Sequence, residues 1–576
     1  MKRLFKVLLV LLLTISLVAC SGKSDSQKEK VAGFGGDFEV TVSFSENKIT
    51  EIVVGENKET AQIGTTAIDT IPGEIITKQS ILVDNVAGAT VTSLAIKTAV
   101  ENAIIKQGLN VEDFKKEIES DNVEITDETK TTDIVVIGAG GAGLTAAIEA
   151  TLSGKSVVVI EKQPFAGGNT SKATGGMNAA ETKIQAAEGI EDTVETFISD
   201  IYKGGYELGN IDLITKMANE SASAVEWLET VGAPLTQVSF SGGATYSRIH
   251  QPEGGAAVGA YIVENLVKKA EELNIEILYN TKVNEIIKVD DKVVGVKANS
   301  ESVNYTFDSK AVILATGGFG ANEELFSSYK PELKGFVTTN HKGATGDGIV
   351  MAQAIGADVV DLEQIQIHPT VHQDTSIMIT EGVRGDGGIL VNQEGLRFTN
   401  EMLTRDVVSA NVIAQTGGYA YVIFDQNLRE HLAATEKYIN NGITSQADTI
   451  GELAKVLEID EATLETTLTT WNQAVANQED PEFNRTTAME ASLEKGPYYA
   501  VKIAPGVHHT MGGIKIDTEA QVIDTNGEII SGLYAAGEVT GGIHGGNRIG
   551  GTAVTDIVVF GRISGMNAST YIDSLK

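Results

Sequence analysis

The stretch Ile134-Val135-Val136-Ile137-Gly138-Ala139-Gly140-Gly141-Ala142-Gly143 limits the possible folds more than any other part of the chain. Asp133 to Ile137 reads as a buried strand, Leu144 to Leu152 as a helix, and Val157-Val158-Val159-Ile160 as the next strand, ending in Glu161. A lone G-x-G-x-x-G is weak evidence. Set between a strand and a helix, with an acid at a strand end about twenty residues on, it describes a βαβ unit that binds a dinucleotide. Gly138, Gly140 and Gly143 let the backbone turn tightly and approach a pyrophosphate, the helix N-terminus attracts its charge, and Glu161 can accept from a ribose hydroxyl. Glycines serving only a tight turn are the plainer alternative, but they would not need this context.

Two later segments bear on which dinucleotide is bound. Val312-Ile313-Leu314-Ala315-Thr316-Gly317-Gly318 closes a strand on a glycine turn, and Gly532-Leu533-Tyr534-Ala535-Ala536-Gly537-Glu538 delivers an acid. Both resemble the recurring segments of two-dinucleotide-fold flavoproteins, which favours FAD over NAD. The fold class expected is α/β: a Rossmann-like FAD domain with an α+β capping domain, preceded by a small α+β domain. The single cysteine, Cys20, excludes an intrachain disulfide, a thiolate-held iron–sulfur cluster and a Cys-x-x-Cys-His haem attachment. Any electrons must therefore travel on organic carriers, and no metal is expected. A net charge of −34 argues against nucleic acid as a partner.

At 576 residues the chain should fold as several modules. Residues 1–20 have a basic start and a short apolar run, the pattern of an export signal. Their end, Leu17-Val18-Ala19-Cys20, resembles the lipobox of bacterial lipoproteins. That resemblance implies lipidation at Cys20 and an extracytoplasmic protein held on the cell membrane. Residues 21–32 read as a polar tether. Residues 33–120 open with a hairpin whose Phe38, Val40, Val42 and Phe44 share one face. A helix with Ile68, Ile71, Ile75 and Ile76 follows, then one with Leu94, Ala99, Val100, Ala103 and Ile104 turned inward. Residues 121–131 read as a linker, 132–363 as the first part of the FAD domain, 364–507 as the capping domain and 508–576 as the second part of the FAD domain.

From about residue 131 onward the chain resembles the flavoprotein of the fumarate reductase and succinate dehydrogenase family, and most of all the flavocytochrome c fumarate reductases. The matching stretches, in the family's order, are "GGNTSKATGGMNAA", "IHPT", "MITEGVRG", "RFTNEMLTRD", "PGVHHTMGG" and "GGIHGGNRIGG". The resemblance implies that His508, Arg548 and Arg405 hold one substrate carboxylate while His368 and Thr380 hold the other. It makes Arg405 the proton donor, resupplied through Glu381 and Arg384. It also implies a non-covalent FAD held by Asn169, Thr170, Gly175, Gly176, Thr316, Gly317, Gly318, Asp347 and Glu538, beside Gly138, Gly140, Gly143 and Glu161. The residue types suit the chemistry: an enedioate carries two anions, so both ends need cationic or hydrogen-bond donor groups, and arginine supplies a rigid fork suited to carboxylate. His250, His341, His372, His431, His509 and His544 are read as structural. No histidine lies in "NTSKATGG", where relatives attach FAD covalently. Ile367 and Gly382 stand where urocanate reductases of the family carry Tyr and Asp, so a dicarboxylate fits better.

Residues 33–120 resemble the FMN-binding domain of sodium-pumping quinone reductase and Rnf-type subunits, in which a transferase joins FMN phosphate to a threonine. The family pattern falls on Asp84 through Gly88-Ala89-Thr90, so Thr90 is the implied acceptor and Thr92 the fallback. Without the resemblance, Thr90, Thr92 or Ser93 could simply cap the following helix. The expectation is a membrane-anchored fumarate reductase that passes electrons from a quinol-linked or flavinylated donor through covalent FMN to FAD. The alternatives are a reductase of another α,β-unsaturated carboxylate, such as methacrylate, acrylate or cinnamate, and a non-catalytic flavin electron carrier.

Overall fold

The computed structural model describes residues 26–59, 64–86, 89–116, 125–240 and 243–575. The chain divides into two compact units, Met1–Asp121 and Asn122–Lys576. Cys20 and the export segment lie outside the described residues, as do Gly88 and the Thr90 side chain.

In the first unit three antiparallel strands, Ser26–Gly33, Gly36–Ser45 and Lys48–Val54, form a meander. Phe38, Val40, Val42 and Phe44 are all buried, as their alternation requires. The helices Gly64–Lys78 and Thr90–Gln107 cover that face with Ala67, Ile71, Ile75, Ala99, Val100, Ala103 and Ile104. The expected tether, 21–32, is from Ser26 onward a strand. It pairs residue for residue with Gly36–Ser45, through backbone bonds that its alternating charges do not advertise. Leu94 is a further correction: it lies 49% exposed on the outer face of its helix.

The second unit is built on a sheet whose first five strands run parallel in the order Glu276–Leu278, Val157–Ile160, Ile134–Ile137, Ala311–Leu314, Ile529–Ala535. Ile134–Ile137 and Ala311–Leu314 are wholly buried, and the helices Gly141–Leu152 and Thr552–Ser574 pack on the sheet and on each other. The helix after the glycine turn starts at Gly141, three residues before the apolar run at Leu144 suggests, because the Gly140 carbonyl already accepts from Leu144 N. Thr126–Thr131, within the expected linker, forms an edge strand parallel to Val303–Asp308. Its mostly exposed polar residues leave no apolar signature to read.

A second sheet, antiparallel throughout, carries the capping region: Ile365–Val371, Tyr498–Thr510, Ala420–Asp425 and Ile389–Val391. One apolar core on it gathers Leu453, Leu464, Trp471 and Met489, and another gathers Ile379, Val383, Val408 and Val412. The expected boundary between residues 507 and 508 falls inside the long strand Tyr498–Thr510, so the capping sheet continues unbroken towards the FAD region.

Candidate active site

Register brings the two substrate-side histidines together. Gln366 pairs with His509 and Ile367 with Val507, so His508 is the extra residue of a β-bulge. A bulge turns a side chain out of strict alternation. The His508 ring here meets His368, on the neighbouring strand, with ring centroids 5.2 Å apart. Thr339 Oγ1 bonds His508 Nδ1 at 2.8 Å. His368 is fully buried, with its Nδ1 beside Thr370 and its Nε2 without a partner among the described residues. Burial, and then the Arg405 charge, hold both imidazoles well below their ordinary range.

Arg405 opens the helix Arg405–Ile413 and forks onto Glu381, with Nε to Oε1 at 2.7 Å and NH2 to Oε2 at 2.9 Å. Burial pushes the Glu381 carboxyl up. The Arg405 charge and this paired hydrogen bond outweigh it and keep the carboxyl far below the usual carboxylate range. Arg384 NH2 lies 3.7 Å from the same carboxylate. Thr380 caps the short helix Glu381–Gly385 that carries both groups, and its backbone N–H donates to the Tyr438 hydroxyl at 2.8 Å. Burial, reinforced by the Arg405 charge, brings Arg548 down to about 9. All seven expected site residues thus share one region.

Their meeting point was missed in the sequence. Buried Gln366 accepts on Oε1 from Arg405 NH1 at 2.9 Å and from Arg548 NH2 at 3.3 Å. Its Nε2 donates to Asn547 Oδ1 at 2.7 Å and to the Arg548 carbonyl at 2.9 Å. Its strand, Ile365–Val371, also carries the polar residues His368 and Thr370, and only the contact between distant segments gives Gln366 its role. A second missed group is a buried ion cluster behind Arg384. Arg384 NH1 donates to the Glu401 carbonyl at 2.6 Å. The Glu401 carboxylate accepts from Arg397 at 2.9 and 2.8 Å and from Arg485 at 3.0 Å, and Asp480 also binds Arg397. Arg485 NH2 in turn donates to the Arg384 carbonyl at 2.6 Å.

The glycine cradle lies at the ends of the parallel strands. A Cβ on Gly143 would sit 1.9 Å from the Gly138 carbonyl oxygen, and one on Gly138, where φ is +105°, 2.4 Å from that of Ala315. Both places demand glycine. At Gly175 and Gly317 a Cβ would meet nothing within 4 Å, so bare backbone lines open space there. Glu161 accepts from Ala139 N and Gln163 N at 2.8 Å each. Asn169 donates to Glu538 at 2.9 Å and to Asn340 at 2.6 Å, while Thr170 accepts from Gly141 N at 3.1 Å. Gly176 packs on Ile249, Gly318 on Thr510, and the buried Thr316 hydroxyl has no partner among the described residues. Asp347 is engaged by Lys162 at 2.7 Å. A close-fitting backbone, a helix N-terminus and a polar rim of this kind fit FAD.

In the first unit Thr92 is fully buried and its hydroxyl donates to Glu59 at 2.8 Å. Ser93 Oγ accepts from Val86 N at 3.1 Å.

Comparison with known proteins gives two matches within the chain: the FAD binding domain over residues 133–554 and the FMN-binding domain over residues 33–105. The chain is 43% identical over 94% of its length to the NADH:fumarate oxidoreductase of Klebsiella pneumoniae (strain 342), and it spans 58% of that relative's length. It is 36% identical to the urocanate reductase of Eggerthella lenta, over 96% of each chain. Among solved structures, the open conformation of a flavocytochrome c3 fumarate reductase superimposes with a TM-score of 0.69 at 41% identity, covering 81% of this chain and 84% of that one.

Proposed function

Because the chain belongs to the FAD binding domain family and carries an FMN-binding domain ahead of it, we propose that it is an extracytoplasmic, membrane-anchored fumarate reductase. The observation that carries this reading is the convergence of Arg405 and Arg548 on the neutral amide of Gln366, within the region of the His368–His508 pair. Glu381 pairs Arg405, but with Arg384 beside the same carboxylate and Arg548 across the neutral amide, positive charge remains in excess, a field suited to a dianion. His508 and Arg548 would hold one carboxylate, with Arg405 reaching it, and His368 and Thr380 would hold the other. FAD, held by the glycine cradle, would supply the hydride, and FMN would supply the electrons that precede it.

The remaining chemistry belongs to the chain. As negative charge grows on the first carboxylate, Arg548 and His508 stabilise it. Arg405 delivers a proton to the adjacent carbon and, once neutral, takes back one that the Glu381 carboxylate accepts and passes along the fork already in place. Arg384 completes the route from solvent. In the first unit FMN would be joined by a flavin transferase to Thr90, because Thr92 and Ser93 already have buried bonds. A lipid on Cys20 would hold the protein at the membrane, where a quinol-linked or flavinylated donor supplies electrons.

The test is turnover of fumarate to succinate by the purified full chain with reduced viologen; absence of succinate overturns the reading. The full-length match to a urocanate reductase supports a second reading, reduction of another enoate. If that holds, His368→Ala abolishes fumarate turnover but spares a monocarboxylate.

A further inference from the structure

Tyr206 stands outside every group named so far. It follows the helix Val194–Gly204 in a turn where Tyr206 and Glu207 both have φ of +59°, a conformation that non-glycine residues seldom adopt. That turn is fastened to the loop bearing Arg548. Gly546 N donates to the Gly205 carbonyl at 2.8 Å, Asn547 Nδ2 to the Gly204 carbonyl at 3.2 Å, and Asn210 N to the Gly542 carbonyl at 2.6 Å. From this base the Tyr206 hydroxyl crosses to the capping region and donates to the carboxylate of Asp406, the residue after Arg405 in its helix. The other Asp406 oxygen is buried without a partner among the described residues, so the tyrosine is the bond that satisfies this carboxylate. The tyrosine is 51% exposed, and core packing does not account for it.

We propose that Tyr206 and Asp406 form a clasp that sets the distance between the Arg548 loop and the Arg405 helix, making both positioning residues for proton delivery by Arg405. The inference rests on reading the site as a fumarate reductase. Burial and the Asp406 contact raise the tyrosine's pKa, which keeps it a donor across the working range. With the clasp open, Arg405 would still pair with Glu381 and Gln366, but its helix would no longer be registered against the loop that holds the substrate. A displacement of about 1 Å at a reacting group can lower a rate about a hundredfold.

The test compares the full chain with Tyr206→Phe and with Asp406→Asn, which retains an acceptor for the tyrosine. Fumarate turnover is driven by reduced viologen in H2O and D2O, with FAD content and thermal midpoint measured alongside. Tyr206→Phe is expected to lower kcat about tenfold or more, with KM changed far less, because proton delivery and not binding is disturbed. The solvent isotope effect on kcat should rise as proton transfer becomes slower than hydride transfer. Asp406→Asn should retain most of the rate, while the double variant should be no worse than Tyr206→Phe alone. Wild-type kcat in Tyr206→Phe, or a loss with an unchanged isotope effect and a lowered thermal midpoint, overturns the clasp. A wild-type chain that does not reduce fumarate overturns the underlying reading instead, and the clasp with it.

Discussion

At the scale of single residues, the site separates binding from proton supply. Replacing Arg405 with Lys should cut kcat by about 10²- to 10⁴-fold, the usual worth of a general acid, without loss of FAD, and steady-state assays with a flavin count would check it. Glu381→Gln should also lower kcat, because the amide cannot replace the proton Arg405 gives up. His508 offers a different measurement. Burial and the Arg405 charge keep its ring neutral in the free protein, and a bound dianion opposes that field. Between the two resulting pKa values, fumarate binding should therefore draw a proton from solution. Calorimetry in buffers of different ionisation enthalpy should show net uptake that falls in His508→Ala to the share His368 contributes. The resemblance in the sequence pointed to all seven of these site residues. Gln366 and Tyr206 escaped because their partners lie 39 to 200 positions away and no local pattern marks the contact.

At the scale of elements, two devices hold these residues in place. The bulge at His508 was invisible in the sequence, since register is a property of two strands and strict alternation would have turned that ring away. The hairpin of Phe38 to Phe44 and the strand–glycine–helix unit at Ile134 were legible because apolar period and turn chemistry agree there. The edge strands Ser26–Gly33 and Thr126–Thr131 were not legible, because their residues are mostly polar and exposed and leave no apolar alternation to read. The second device is the Arg397–Glu401–Arg485–Asp480 cluster, which anchors both ends of Arg384. Glu401→Gln would leave two buried guanidinium groups facing one carboxylate, a change worth about 3–5 kcal/mol of stability. Denaturant unfolding should show that loss. Gly143→Ala makes the complementary prediction: its methyl group would collide with the Gly138 carbonyl, and the purified protein should lose FAD.

At the scale of the whole molecule, two flavin-binding parts in one chain predict two flavins that leave differently. Acid or heat should release FAD, while FMN should stay with the polypeptide until Thr90→Ala removes its attachment. Mass spectrometry of the intact chain would register both outcomes, together with any lipid on Cys20. If the chain is exported as proposed, it works in a medium whose acidity the cell does not control. Segments around residues 366, 405 and 548, far apart in the chain, are joined at the Gln366 amide. An amide has no proton to gain or lose over the range in which carboxylates and imidazoles titrate. The joint between the two arginines would therefore keep its form from mildly acidic to mildly alkaline surroundings. A glutamate in its place would stay ionised between two arginines and bind them more tightly, but it would take for itself the positive charge a dianion needs.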